Sequence, residues 1–181
     1  MKRLALLLAV LLASLATGCG GDDSSAEPDA VEPATWAAGF CDALKTFTTG
    51  ISEAGEGLAG EGLPSGEQIV AAIDNAADAA STFADDLGEL GPPDVPSGEE
   101  ISNDLETAAR EAGETFDAVK DEVGGEIDDA ADVAVQAGKI AEAAQTGLEG
   151  IRAATNRLQE LDVDGRLTEA LESASECTGL G

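Results

Sequence analysis

Apolar residues recur along most of the chain at steps of three and four, the spacing of an α-helix with one buried face. Trp36, Phe40, Leu44, Phe47 and Ile51 follow one another at 4, 4, 3 and 4 residues, with Pro33 and Thr35 standing where a helix starts. Gly55, Gly57, Gly60 and Gly62 then end it. This first helix carries three of the five aromatic residues, so it is the expected nucleus of the core. A second helix opens at Ser65-Gly66-Glu67-Gln68, a capping box in which the Ser hydroxyl and the Gln side chain satisfy backbone N–H groups left over at a helix start. Its face, Ile69, Ile73, Ala76, Ala80, Phe83, Leu87 and Leu90, advances by 3.5 residues on average, the seam of packed antiparallel or coiled helices. Gly91-Pro92-Pro93 stops it.

Ser97-Gly98-Glu99-Glu100 offers a second capping box ahead of a third face, Ile101, Leu105, Ala108, Ala112, Phe116, Val119 and Val123. The second and third helices share Ser, Gly, Glu, Ile, three Ala and Asp at an offset of 32 residues (Ser65 with Ser97 through Asp85 with Asp117). Duplication and chance likeness of two capped Ala-rich helices both explain this. Gly124-Gly125 should break or kink the chain, since glycine inside a helix costs about 1 kcal/mol relative to alanine. Beyond it runs Val133, Ala137, Ile140, Ala144, Leu148, Ile151, Ala154, Leu158 and Leu161, again averaging 3.5. Gly138, Gly147 and Gly150 interrupt that run, as kinks or as places of close helix approach. A last helix is expected from Asp164 as N-cap, with Leu167, Leu171, Ala174 and Cys177 on one face. No alternating β-branched run competes. The pattern predicts an all-α, Ala-rich bundle of four or five antiparallel helices over residues 34–181.

Composition narrows what such a bundle can do. The 181 residues hold 37 acidic and 9 basic side chains, a formal charge of −28, with no His and no Tyr. Neutralising nucleic-acid phosphates or an anionic membrane surface takes clustered Lys and Arg, so neither is an expected electrostatic partner. The missing His removes the commonest general base and the commonest transition-metal ligand. No GxSxG, HExxH, phosphate-loop or dinucleotide fingerprint is present. The expectation is therefore no enzyme, no cofactor and no metal, in a core built on Ala, Leu, Ile and Val.

The N-terminus carries the most specific signal. Lys2 and Arg3 precede a 13-residue run, Leu4 to Ala16, interrupted only by Ser14. A spanning helix needs about 20 apolar residues, so residues 1–18 read as a signal peptide. Leu15-Ala16-Thr17-Gly18-Cys19 follows, and here the chain resembles the lipobox of bacterial lipoprotein precursors, with Ala16 in the place where that family usually has Leu, Val or Ile. The resemblance implies cleavage before Cys19, acylation of its thiol by fatty chains of the palmitate kind, and attachment to the extracytoplasmic face of the cell membrane. It covers only about the first two dozen residues. Ala16-Thr17-Gly18 also satisfies ordinary signal peptidase, which would release a secreted protein with a free Cys19 thiol. The abundance of Ala, Gly and Asp also looks like that of exported proteins of high-GC Gram-positive bacteria. Residues 19–33 have no apolar periodicity, and with two prolines and five acidic residues they read as anchor and flexible, self-repelling linker. Maturation removes Lys2 and Arg3, leaving 7 basic against 37 acidic residues, a charge of −30.

Lipidation of Cys19 leaves Cys41 and Cys177, an even number in an oxidising compartment, and a structural disulfide between them is the simplest pairing. A redox pair would want a CxxC spacing, which is absent. Glu160-x-Asp162-x-Asp164-Gly165-x-Leu167 resembles the start of an EF-hand loop, but Glu160 stands where Asp is wanted and Leu171 where the bidentate Glu belongs, so a helix break is expected instead. Asp85-Asp86, Glu99-Glu100 and Asp128-Asp129 are paired carboxylates of the kind a chain with 37 acids has by chance. Trp36 reads as core, with ligand stacking as the rival. The functional expectation is a non-enzymatic interaction or structural module of the cell envelope, with the bilayer and an unknown envelope protein as partners. The alternative is a carrier holding an apolar ligand or lipid around Trp36, Phe40, Phe83 and Phe116.

Overall fold

The computed structural model describes residues 30–58, 64–123 and 130–178, and its regular structure is helical. Helix α1 spans Pro33–Glu56, α2 Gly66–Leu90, α3 Gly98–Val123, α4 Ala130–Leu161 and α5 Arg166–Ser173, followed by a 3₁₀ turn at Ser175–Cys177. The four long helices run antiparallel in chain order. Gly39 and Gly50 of α1 face Leu90 and Ala79 of α2, Asp74 of α2 meets Lys120 of α3, and Glu100 of α3 meets Arg157 of α4. Helix α5 and the 3₁₀ turn return to pack on α1.

The seams bury as their spacing requires. The α2 face from Ile69 through Leu87 is buried, and so is the α3 face except for a half-buried Val119. One core draws on all five helices, from Trp36, Phe40 and Phe47 through Phe83, Leu87, Ile101, Leu105 and Leu158 to Leu167. A second cluster joins Ala54, Ile69, Ile73, Phe116, Val123 and Ala143 at the opposite end. The aromatic rings fill the first core. Trp36 stacks on Phe40 with centroids 5.2 Å apart, and Phe83 meets Phe40 at 6.4 Å and Phe47 at 5.3 Å.

Starts and stops are local chemistry. The capping box at Ser65 forms in full: Gln68 N–H donates to Ser65 Oγ (3.3 Å) and Ser65 N–H to Gln68 Oε1 (2.9 Å). Glu100, expected to close a second box with Ser97, pairs with Arg157 on α4 instead, at 3.0 Å. Helix α1 has Pro33 in its first turn and is capped by Glu32, whose carboxylate accepts the Thr35 N–H at 3.2 Å. Order therefore begins before residue 34. Val31 N–H donates to Pro92 O (2.8 Å) and Asp94 N–H to Val31 O (2.7 Å), a short parallel β-bridge to the α2–α3 loop.

Helix α4 runs through its three glycines unbroken; the expected break at Gly124-Gly125 lies outside the described residues. Its seam is shifted from the expected one. Ala137 is exposed, while Ala143 and Gly147 are buried. Ala137 is exposed because of length: Lys139 pairs with Glu122 at 3.1 Å, so α4 residues before it run past Val123, where α3 ends. The last helix also starts differently. Gly165, at φ +68°, precedes Arg166, and Asp164 is exposed and makes no cap.

Small residues set how closely the helices approach. A Cβ on Gly50 would lie 2.8 Å from Ala79 Cβ, and one on Gly147 would lie 3.1 Å from Ala112 Cβ, whereas Gly138 and Gly150 face open space. Gly150→Ala is therefore expected to raise stability by about 1 kcal/mol through helix propensity alone. Gly50→Ala should lower it by about 1–3 kcal/mol, because the methyl group must force α1 and α2 apart. Urea melts of the two variants check both signs.

Candidate functional site

The chain enters the bundle at one end, and contacts between distant parts of the sequence converge there. Five residues beyond the Val31 bridge, α1 places Trp36 so that its Nε1 donates to Gly91 O across 2.9 Å. Gly91 has φ +71°, a conformation that turns the end of α2 toward Pro92-Pro93 without a Cβ penalty. The same loop accepts a hydrogen bond from Arg166 to Asp94 O at 3.0 Å. A Cβ on Gly98 would lie 1.9 Å from Pro93 O, so only glycine lets α3 begin against this loop. The linker, the α2–α3 loop and the α4–α5 turn are thus one packed pole.

Asp162 holds the turn. It is 6% exposed, and its carboxylate accepts the N–H of Leu167 (3.2 Å) and of Thr168 (2.7 Å), doing for α5 what Asp164 was expected to do. Gly165 makes this possible by folding the chain back so that a residue four positions before the helix reaches its first turn. Burial alone would push the Asp162 carboxyl up. Thr168, through its N–H and hydroxyl, the Leu167 N–H and the Arg166 charge together outweigh burial and hold it below the usual carboxylate value. The EF-hand-like string therefore spends its central carboxylate on backbone N–H groups. Among the described residues no group of three or more His, Cys, Asp or Glu is placed to hold a metal ion.

Cys41 and Cys177 are joined, with Cα atoms 5.0 Å apart at a sequence separation of 136. Cys41 is buried in α1, and Cys177 sits in the 3₁₀ turn, after α5 has ended at Ser173. The bond fastens the C-terminal segment to α1. Cys19 and the pair Asp128-Asp129 lie outside the described residues. Asp85, Glu99 and Glu100 are exposed, and Glu100 is the member held by a cation. Trp36, Phe40, Phe83 and Phe116 are at most 2% exposed, which makes all four core residues.

Open grooves lie between neighbouring helices. One of about 610 Å³ runs along α1 and α2, lined by Lys45, Thr46, Thr49, Glu53, Asn75 and Asp78 among others. Another of about 300 Å³ lies between α3 and α4 beside Glu122 and Lys139. Among the described residues no helix is long and apolar enough to cross a membrane. No family model, curated protein or solved structure matches the chain.

The loop–turn contacts and Asp162 were not legible as a site in the sequence. Backbone pairing at Val31 leaves no side-chain signature, and Asp162 and Asp164 are equivalent until the sign of φ at Gly165 is known. A group with a depressed folded-state value adds stability above its unfolded pKa and loses it as pH falls through the folded one. Asp162→Ala should accordingly cost about 1–2 kcal/mol at neutral pH. The gap from wild type should close as pH drops below about 4, read by thermal melts across pH.

Reduction of the bond should also lower stability, by at most about 5 kcal/mol on the loop-entropy model. Mass spectrometry with and without reductant gives the thiol count; free thiols at both Cys41 and Cys177 in the unreduced protein would contradict the bond.

Proposed function

We propose that the chain is an extracytoplasmic lipoprotein, anchored in the cell membrane through acylated Cys19, whose bundle acts as a non-enzymatic interaction or structural module of the cell envelope. The carrying observation is the run Leu15-Ala16-Thr17-Gly18-Cys19 behind a short apolar segment, followed by an acidic linker that leads into a disulfide-closed helical domain. The charge supports it as well. At −30 the mature chain is repelled by anionic lipid, so attachment depends on the acyl chains and not on the protein surface.

The carrier alternative needs room around Trp36, Phe40, Phe83 and Phe116. These side chains pack in the two core clusters, and the grooves described above are open to solvent and lined largely by polar residues, which favours the interaction module. Partners would then meet helix faces, not an internal cavity.

Cys19→Ala is the direct test. In cells fed labelled palmitate, the wild type should carry label and enter the detergent phase, and the variant should lose both while keeping its helical circular dichroism. Unlabelled, water-soluble wild type would replace the anchored reading with the secreted one. Recovery of the lipidated protein from membranes, with identification of what copurifies on wild type and not on a detergent-only control, names the envelope partner.

A further inference from the structure

The β-bridge at Val31 fixes where the linker leaves the bundle, and the position of that exit has a consequence for how the anchored domain stands on a bilayer. Counted from Cys19, Val31 is 12 residues on, a span of at most about 40 Å. The long helices are of comparable size, from 24 residues in α1 to 32 in α4, a rise of about 36–48 Å. The far end of the bundle therefore lies about a helix length farther from the attachment point than the Val31 pole does.

Charge then selects the orientation. The exit pole exposes Glu32, Asp94, Glu99 and Asp164 against Arg166, and the exposed flanks of the long helices are acidic too. Rolling any flank down onto an anionic surface brings more acid within a Debye length of it, about 10 Å at 0.1 M salt. Only the pole held by the linker cannot retreat. We propose that the pole formed by Val31, the Pro92–Gly98 loop and the Asp162–Arg166 turn faces the bilayer, and that electrostatic repulsion stands the bundle upright on it. The opposite end, where α4 exposes Val135, then points away from the membrane. This rests on the lipid-anchor reading of Cys19.

Two features of the chain make the orientation measurable without depending on cellular lipidation. With Cys41 and Cys177 bonded, Cys19 is the one remaining thiol and couples to a maleimide phospholipid. Trp36 is the only tryptophan, and it sits at the exit pole against Gly91. Chain beginning at Cys19 is coupled to phosphatidylglycerol vesicles bearing a dansyl headgroup, and energy transfer from tryptophan is recorded. A second tryptophan is added at the exposed far position by Val135→Trp, which leaves the core intact.

At low salt the added donor should emit without transferring, so transfer efficiency falls to about half that of wild type. At 1 M salt, where the Debye length is about 3 Å, or on neutral phosphatidylcholine vesicles, the difference should shrink. Equal or greater efficiency for Val135→Trp on anionic vesicles at low salt would overturn the orientation. Failure of the palmitate experiment would instead overturn the anchor while leaving this measurement interpretable.

Discussion

Small residues at the helix seams are the constraint on which the rest of the structure depends. Gly50 against Ala79 and Gly147 against Ala112 bring backbones close, and Ala76, Ala80, Ala108, Ala109 and Ala112 are buried along α2 and α3. Such contacts gain dispersion by proximity but remove little apolar surface per residue, since burial stabilises by about 25 cal/mol per Å². The chain offsets this at one end. Four of its five aromatic residues lie in the cluster that all five helices share, and the disulfide closes over the same region.

Charge follows a similar economy of placement. In a chain so acidic, four cations stand where elements meet: Lys120 with Asp74 between α3 and α2, Lys139 with Glu122 and Arg157 with Asp104 (2.7 Å) between α4 and α3, and Arg166 on the loop carbonyl of Asp94. Each exposed pair alone contributes little. Their joint effect is on register, because an acid facing an acid across a seam would repel, so the pairs favour the one antiparallel alignment in which cations face carboxylates.

How much of this was legible depended on whether a feature was periodic. The α2 and α3 faces could be read residue by residue because helices flank both, so spacing alone decides burial. Ala137 was misread because α4's pattern continues past the end of α3, and a sequence does not say where its partner helix stops. Cys41 with Cys177 followed from parity once Cys19 was set aside. The Val31 bridge and the Asp162 cap could not follow from any pattern: one is made of backbone atoms, and the other depends on a single left-handed glycine. Both lie at the exit pole, so the part of the molecule least visible in sequence is the part that ties the linker to the fold.

The disulfide also fixes how the domain carries force. A pull applied between the linker and the C-terminal segment passes along residues 31–41, across the Cys41–Cys177 bond, and out at residue 178. The 135 residues between the two cysteines lie off that path. Helices α2, α3 and α4 thus bear no covalent load, and under tension the bundle behaves as a short strut with its mass hung to one side.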